Sequence, residues 1–260
     1  MSQFEASGKV SLSEFARQIR GQLVPLGSHF SYFFTAVSLN EDDIKEYLEE
    51  PFSALPPSLR GVLPETAIVL VPFLERTGAP GANGGDELVS FDPPDEKRQI
   101  WDACLNGPGG AMLVFGIRQQ DVADYHYRFF RRVAALAADS CGADLRDQFN
   151  GMLGDELSAG VHGEVDEGSW ELKRALQQRQ RRYRKKTKGF ELYARQALVD
   201  TLTLYLHGIC CDLDVETGPR QLASRHLRRR LELLQSMFPP PEGYAVFPED
   251  LKLIETNGRK

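Results

Sequence analysis

One histidine and two cysteines near position 210 have the residue types and the spacing of metal ligands. His207 lies three positions before Cys210 and four before Cys211. On a continuing helix these spacings place all three side chains on one face, and imidazole and thiolate are the ligands that zinc prefers. Asp212 and Asp214 would add oxygen ligands or orient the imidazole. The alternative is that both thiols belong to a core, because free cysteine is among the most buried residue types.

A second group suited to chemistry lies in the acidic loop, residues 155–167, where His162 precedes Glu164 by two positions. A histidine beside carboxylates can perform general acid–base catalysis because its pKa lies near neutrality. The spacing departs from the HExxH motif, since a glycine separates the two residues and no second histidine follows four positions later. The simpler interpretation is an acidic surface loop that connects and caps helices.

The basic run, residues 171–188, contains nine of the chain's 31 lysines and arginines. A cationic helix face matches the phosphate density of duplex nucleic acid, and Tyr183 and Phe190 are interleaved where they could stack on bases. The sequence therefore predicts a binding surface in this run. Its expected binding residues are Arg179, Arg181, Arg182, Arg184, Lys185, Lys186 and Lys188.

Two other interpretations of the basic run remain open. The charges could solvate an exposed helix whose core-facing stripe includes Tyr183 and Phe190. They could also pair with the acids of the same chain, because residues 1–170 carry a net charge of −13 and residues 171–260 a net charge of +7. The nearest such acids are Asp155, Glu156, Glu164, Asp166 and Glu167.

Composition and missing motifs argue against several protein classes. A formal net charge of −6 and a pI near 5.5 count against a dedicated nucleic-acid protein. The sequence has no P-loop, no GxGxxG after a strand and no GxSxG. Its four cysteines include no CxxC pair, which predicts reduced thiols. No signal-peptide pattern and no apolar stretch of about 20 residues is visible, so we expect a cytoplasmic protein without membrane contact.

The elements that position these groups change in character near residue 118. A helix is predicted over 11–20, where Ser11 and Glu14 have the spacing of a capping box. The apolar runs and the proline and glycine breaks predict alternating strands and helices in the rest of this half. The expected strands are 30–38, 66–71, 87–91 and 111–117, and the expected helices are 40–50 and 95–106.

Helical periodicity dominates after residue 118, with helices predicted over 119–139, 143–157 and 219–238. From Ser169 to Ile209 the apolar spacing predicts one long helix, with Gly189 as a point of kinking. Residues 197–206 are apolar nearly all round and must therefore be buried. In the last helix the leucines are expected to face inward. Its arginines, Arg225, Arg228, Arg229 and Arg230, are expected to face water.

The sequence as a whole predicts an α+β protein, with a small mixed β-sheet and helices in residues 1–118 and a helical part in residues 119–260, packed as one compact unit. The favoured hypothesis is a soluble intracellular binding or regulatory protein. Its recognition surfaces would be the basic run and the acidic loop, and its partner another protein or a polyanion such as nucleic acid, without a cofactor.

The alternative is a hydrolase or metal-dependent enzyme. Its catalytic groups would be His162, Glu164 and His207, and zinc would bind His207, Cys210 and Cys211. The enzyme hypothesis requires residues 161–167 and 207–214 to converge in one cleft.

Overall fold

A computed structural model describes residues 8–78, 85–179, 187–211 and 220–247, which form two compact units. The first unit contains the described residues up to Glu49 together with Leu63–Arg128. The second contains Glu50–Val62 and the described residues from Phe129 onward. Every strand among the described residues lies in the first unit, and the second is helical. The predicted α+β class is therefore confirmed, whereas the division falls after Arg128 and places residues 50–62 with the helices.

The first unit contains nine strands, two short α-helices, a 3₁₀ turn and a π-helical turn within the described ranges. Its strands are β1 Lys9–Ser11, β2 Val24–Gly27, β3 Phe30–Phe34, β4 Thr66–Val71, β5 Phe73–Arg76, β6 Glu87–Ser90, β7 Gln99–Ile100, β8 Asp102–Gly107 and β9 Gly110–Gly116. Its helical elements are α1 Leu12–Ile19, a 3₁₀ turn Arg20–Gln22, α2 Glu41–Ile44 and the π-helical turn Lys45–Glu49.

The second unit is helical. Its elements are α3 Glu50–Ser53, α4 Pro57–Arg60, α5 Val122–Ser140, α6 Ala143–Ser158, α7 Glu167–Arg179, α8 Lys188–Cys210 and α9 Ser224–Met237. Helix α5 begins in the first unit, because the division falls after Arg128. No helix in the described ranges is both long enough and apolar enough to cross a membrane.

Two sheets make up the first unit. The five-stranded sheet has the order β2-β3-β4-β9-β8, in which β3, β4 and β9 run parallel and the two outer strands antiparallel. The four-stranded sheet is antiparallel, with the order β1-β6-β5-β7. β4 is buried along its whole length, as expected for a central parallel strand covered on both faces.

Helix α1 shares one hydrophobic core with both sheets. The Ser11 hydroxyl accepts a hydrogen bond from the Glu14 amide at 3.3 Å, so the serine half of the predicted capping box is present, whereas Glu14 Oε1 accepts from Gln18 Nε2 at 2.8 Å. Leu12, Phe15 and Ile19 are buried, as their helical spacing predicts, among apolar residues of both sheets. The sheet residues of this core include Val69, Val71 and Val114 from the larger sheet and Leu74 and Val89 from the smaller one.

The prediction of a helix over 95–106 is wrong, because these residues form β7 and β8. β8 pairs with β9 in a hairpin, with Gly107 opposite Gly110. Gly110 has φ 113°, and a Cβ there would lie 2.0 Å from the Glu65 carbonyl oxygen. The turn therefore requires glycine. Pairing with an already buried strand outweighs the helix propensity of the charged residues in this segment.

The predicted helix from Ser169 to Ile209 is two helices, α7 and α8, packed side by side. The Ser169 amide donates to Asp200 Oδ2 at 3.2 Å, whereas a straight helix would separate these residues by about 46 Å. Thr187 starts the second helix, since its hydroxyl accepts from the Phe190 amide at 3.2 Å. The long helix of the second unit is thus α8, and its segment 197–203 is buried throughout, as predicted.

Candidate functional site

The acidic loop is held by backbone pairing to the segment that precedes α9. The Glu164 amide donates to the Arg220 carbonyl at 2.9 Å, and the Leu222 amide donates to the Glu164 carbonyl at 3.0 Å. Gly163 has φ 84°, and a Cβ there would lie 2.2 Å from the Gln221 carbonyl oxygen. Glycine is required at this point because only it accepts both the left-handed backbone and the close approach.

This pairing directs the Glu164 side chain into a buried ion network, which we define as Glu156, Glu164, Lys173, Tyr193 and Arg230. Arg230 Nη1 lies 2.7 Å from Glu164 Oε2, and Lys173 Nζ lies 3.0 Å from Glu164 Oε1. The Tyr193 hydroxyl also donates to Glu164 Oε1, at 2.5 Å. Arg230 Nε and Nη2 reach Glu156 Oε2 at 3.1 and 2.5 Å. Two carboxylates thus face two cations, and the formal charges cancel.

The electrostatics of the network stabilise its ionised form. Burial alone would raise the pKa of Glu164, but the Arg230 guanidinium and the Lys173 ammonium outweigh burial and lower that pKa below its ordinary value. Burial and the adjacent Glu164 carboxylate raise the pKa of Tyr193, so the phenol stays a donor. A carboxylate that already accepts from three side chains is unsuited to take a proton from a substrate. The geometry therefore favours a structural role for Glu164.

His162 and His207 lie in different surroundings from each other. The His162 side chain is exposed, with its ring 4.8 Å from that of Trp170 in an edge-to-face contact. His207 lies near the end of α8, where its ring contacts Phe130 at 6.1 Å. Tyr193, which binds Glu164, precedes His207 by fourteen helical positions, or about 21 Å. Glu164 and His207 therefore do not line one cleft, and residues 212–214 lie outside the described residues.

The two adjacent thiols, Cys210 and Cys211, lie where α8 ends. The Cys211 amide still bonds to the His207 carbonyl at 2.8 Å, but Cys211 itself has the extended angles φ −134° and ψ 150°. A hydrogen bond with Cys211 raises the pKa of the Cys210 thiol, and burial raises it further. Both thiols are half-buried, and their sulfur atoms and a ring nitrogen of His126 all lie within 4.8 Å of one another. His126 is a residue of α5 that the sequence interpretation did not select, and with the two cysteines it supplies ligand types that zinc prefers. A zinc site at His207, Cys210 and Cys211 stays a prediction.

The basic run is divided between described and undescribed parts of the chain. The Arg179 side chain, and all of Arg181, Arg182, Arg184, Lys185 and Lys186, lie outside the described residues. Lys188 is exposed at the start of α8, and Arg174 is exposed on α7. Phe190 is buried and so cannot stack on a base.

Four of the five acids of the loop already have cationic partners in the second unit. Glu156 and Glu164 bind Arg230. Nearer the surface, Asp166 lies 3.3 Å from Arg131, and Glu167 lies 2.7 Å from Arg220. Among these partners only Lys173, which also binds Glu164, comes from the basic run.

The sequence interpretation missed Arg230 as a buried group. Its place in a run of three arginines suggested exposure, but Arg230 has no exposed surface. The helical spacing does carry the signal: Leu227, Leu231 and Leu234 are buried on α9, and Arg230 shares their stripe at three and four positions. A cation on an apolar stripe indicates a buried carboxylate partner.

Comparison of the chain with protein-family models, with curated proteins and with solved structures finds no match.

Proposed function

We propose that this chain is a non-catalytic binding protein whose basic run, residues 171–188, recognises a polyanion such as nucleic acid. The carrying observation is the pairing of the loop acids. Glu156, Glu164, Asp166 and Glu167 already bind cations, of which Arg131, Arg220 and Arg230 lie outside the run. This pairing argues against neutralisation of the run by the acidic loop and supports an external anionic partner.

The structure narrows the mode of recognition that we propose. Phe190 is buried, so stacking of bases on this ring is not part of the proposal. Lys173 is engaged in the ion network and does not contribute to the surface. The remaining cations would act through charge, as phosphate contacts do, with a strong salt dependence and little sequence preference. Of the loop acids, Glu156 and Glu164 are buried, so these two do not contribute to a recognition surface.

The test measures binding of the full chain to a short duplex of arbitrary sequence, by fluorescence anisotropy at several salt concentrations. The variant replaces Arg181, Arg182, Lys185 and Lys186 by glutamine. Each phosphate contact contributes about 0.9 to the slope of log K against log salt. If all four contact phosphate, the variant should therefore bind more weakly and lose about 3 to 4 from the slope.

A matched control removes the same charge from exposed cations of the first unit, with glutamine at Lys45, Lys97, Arg98 and Arg118. This control should retain the wild-type slope, because only the overall charge changes. Equal losses in both variants would contradict recognition by the run. The wild type could instead fail to bind the duplex at low salt and bind polyglutamate in a salt-dependent way. That result would indicate an acidic protein partner.

A further inference from the structure

A groove of about 590 Å³ opens in the first unit, at the amino-terminal ends of the parallel strands β3, β4 and β9. Its size lies within the range of about 300 to 1,000 Å³ that is typical of small-molecule sites. One row of neighbouring residues crosses the larger sheet along the groove. The pairing places Ser31 beside Ala67, Ala67 beside Met112 and Met112 beside Leu105.

The groove exists because α1 covers only part of this sheet face. Two positions further along each strand, Val69 and Val114 pack against α1 in the closed core. In the row along the groove, Ser31 and Ala67 have small side chains, and Met112 and Leu105 remain half-buried. The small side chains leave space, and the partly exposed apolar ones offer surface on which the apolar part of a ligand would be removed from water.

The wall formed by α1 and the turn after it is cationic. Arg17 and Arg20 line the groove and are exposed, with Arg17 also paired to Glu14. The lining acid, Glu65, lies 2.7 Å from His29 Nδ1, so its carboxylate has a partner of its own. Guanidinium groups above an apolar floor match a molecule that has an anionic group at one end.

We propose that this groove is a binding site for a small organic anion with an apolar body. The apolar part lies on Met112 and Leu105, and the anionic group lies against Arg17 and Arg20. The proposal is independent of the polyanion-binding function, because the groove and the basic run lie in different units and share no residue.

The test compares two fluorescent probes of nearly identical shape. 8-Anilinonaphthalene-1-sulfonate carries an anionic group, and N-phenyl-1-naphthylamine is the same ring system without it. The full chain should bind the sulfonate roughly fivefold more tightly than the uncharged probe, the gain expected for an exposed ion pair. Glutamine at both Arg17 and Arg20 should remove that difference and leave the affinity for the uncharged probe unchanged.

Two further variants establish where the probes bind. Ala67→Met fills the groove and should weaken binding of both probes, and Ser31→Met provides a second block if the first variant folds poorly. Arg98→Gln removes an exposed cation of the same unit outside the groove and should change neither affinity. Equal affinities of the wild type for both probes, absence of saturable sulfonate binding, or unchanged binding in folded blocking variants would each overturn the proposal.

Discussion

Arginine is used in opposite ways in the two units. In the second unit, Arg230 is fully buried and saturated by two carboxylates. In the first unit, Arg17 and Arg20 are exposed beside an apolar groove. A buried cation matters for stability because its buried carboxylate partners would be uncompensated without it. An exposed cation contributes little to stability and remains available to a ligand. The surroundings of an arginine, rather than its presence, therefore indicate its role.

The largest expected effect is that of Arg230→Met, which removes the cation shared by the buried carboxylates of Glu156 and Glu164. Glu164 would keep Lys173 at 3.0 Å. Among its ion pairs within the described residues, Glu156 would keep only the more distant contact to His226 Nδ1, at 3.9 Å. Removal of one partner from a buried ion pair costs about 3 to 5 kcal/mol, so the free energy of unfolding in urea should fall by this amount. The exposed neighbour offers a matched control, since Arg229→Met should stay within about 0.5 kcal/mol of wild type. Similar losses of unfolding free energy in both variants would show that the contacts of Arg230 in the ion network do not stabilise the fold.

Tyr193→Phe removes one donor to Glu164 and keeps the buried ring. A hydrogen bond to a charged group contributes about 1.5 to 3 kcal/mol, and the variant should lose stability in that range. Tyr32→Phe in the first unit is the control, because Tyr32 is only partly buried and its hydroxyl lies outside the network. A Tyr193→Phe protein as stable as wild type would show that the two cations satisfy Glu164 without the phenol.

Acid should weaken the network through Glu164. Its pKa is lowered in the folded protein from an ordinary value of 4.5, so its contribution to stability is complete above that value and is lost as the pH falls below it. The stability difference between wild type and Glu164→Gln should therefore shrink from pH 7 to pH 3 in a series of urea unfolding curves. A difference that stays constant over this range would contradict a lowered pKa.

The smallest expected effect on stability concerns an exposed arginine of the first unit. Arg20→Gln in the groove should change the free energy of unfolding by less than about 0.5 kcal/mol, since exposed substitutions rarely do more. The same thermal and urea measurements used for Arg230→Met will check this value. A loss of several kcal/mol would mean that Arg20 has a structural role, and the distinction between the two units would fail.

Local patterns predicted several elements well. A strand buried on both faces requires a continuous apolar run, and a helix buried on one side requires apolar residues at helical spacing. The run at 66–71 became β4, and the apolar stripe after Ser11 became α1. The segment 95–106 was misassigned because its strand character comes from pairing with β9, a partner that lies after it in the chain. The helix break before Thr187 was similarly hidden, although Thr187 is a regular N-cap residue.

The candidate site was less accessible to sequence reasoning than the fold. Glu164 was selected for its proximity to His162, yet its partners Lys173, Tyr193 and Arg230 come from three different helices. Such partners are joined by tertiary packing alone, and spacing along the chain does not encode them. The groove was also invisible, because it depends on where α1 stops covering the sheet.

The ion network has a consequence for the order in which the protein can be made. Glu156 and Glu164 are synthesised long before Arg230, the partner that neutralises them on α9. On the ribosome, Glu156 must therefore remain hydrated until α9 emerges, since its burial without Arg230 is too costly, whereas Glu164 already has Lys173 as a partner on α7. The second unit should thus complete its folding only after release of its carboxy-terminal part, whereas the sheets of the first unit can form earlier.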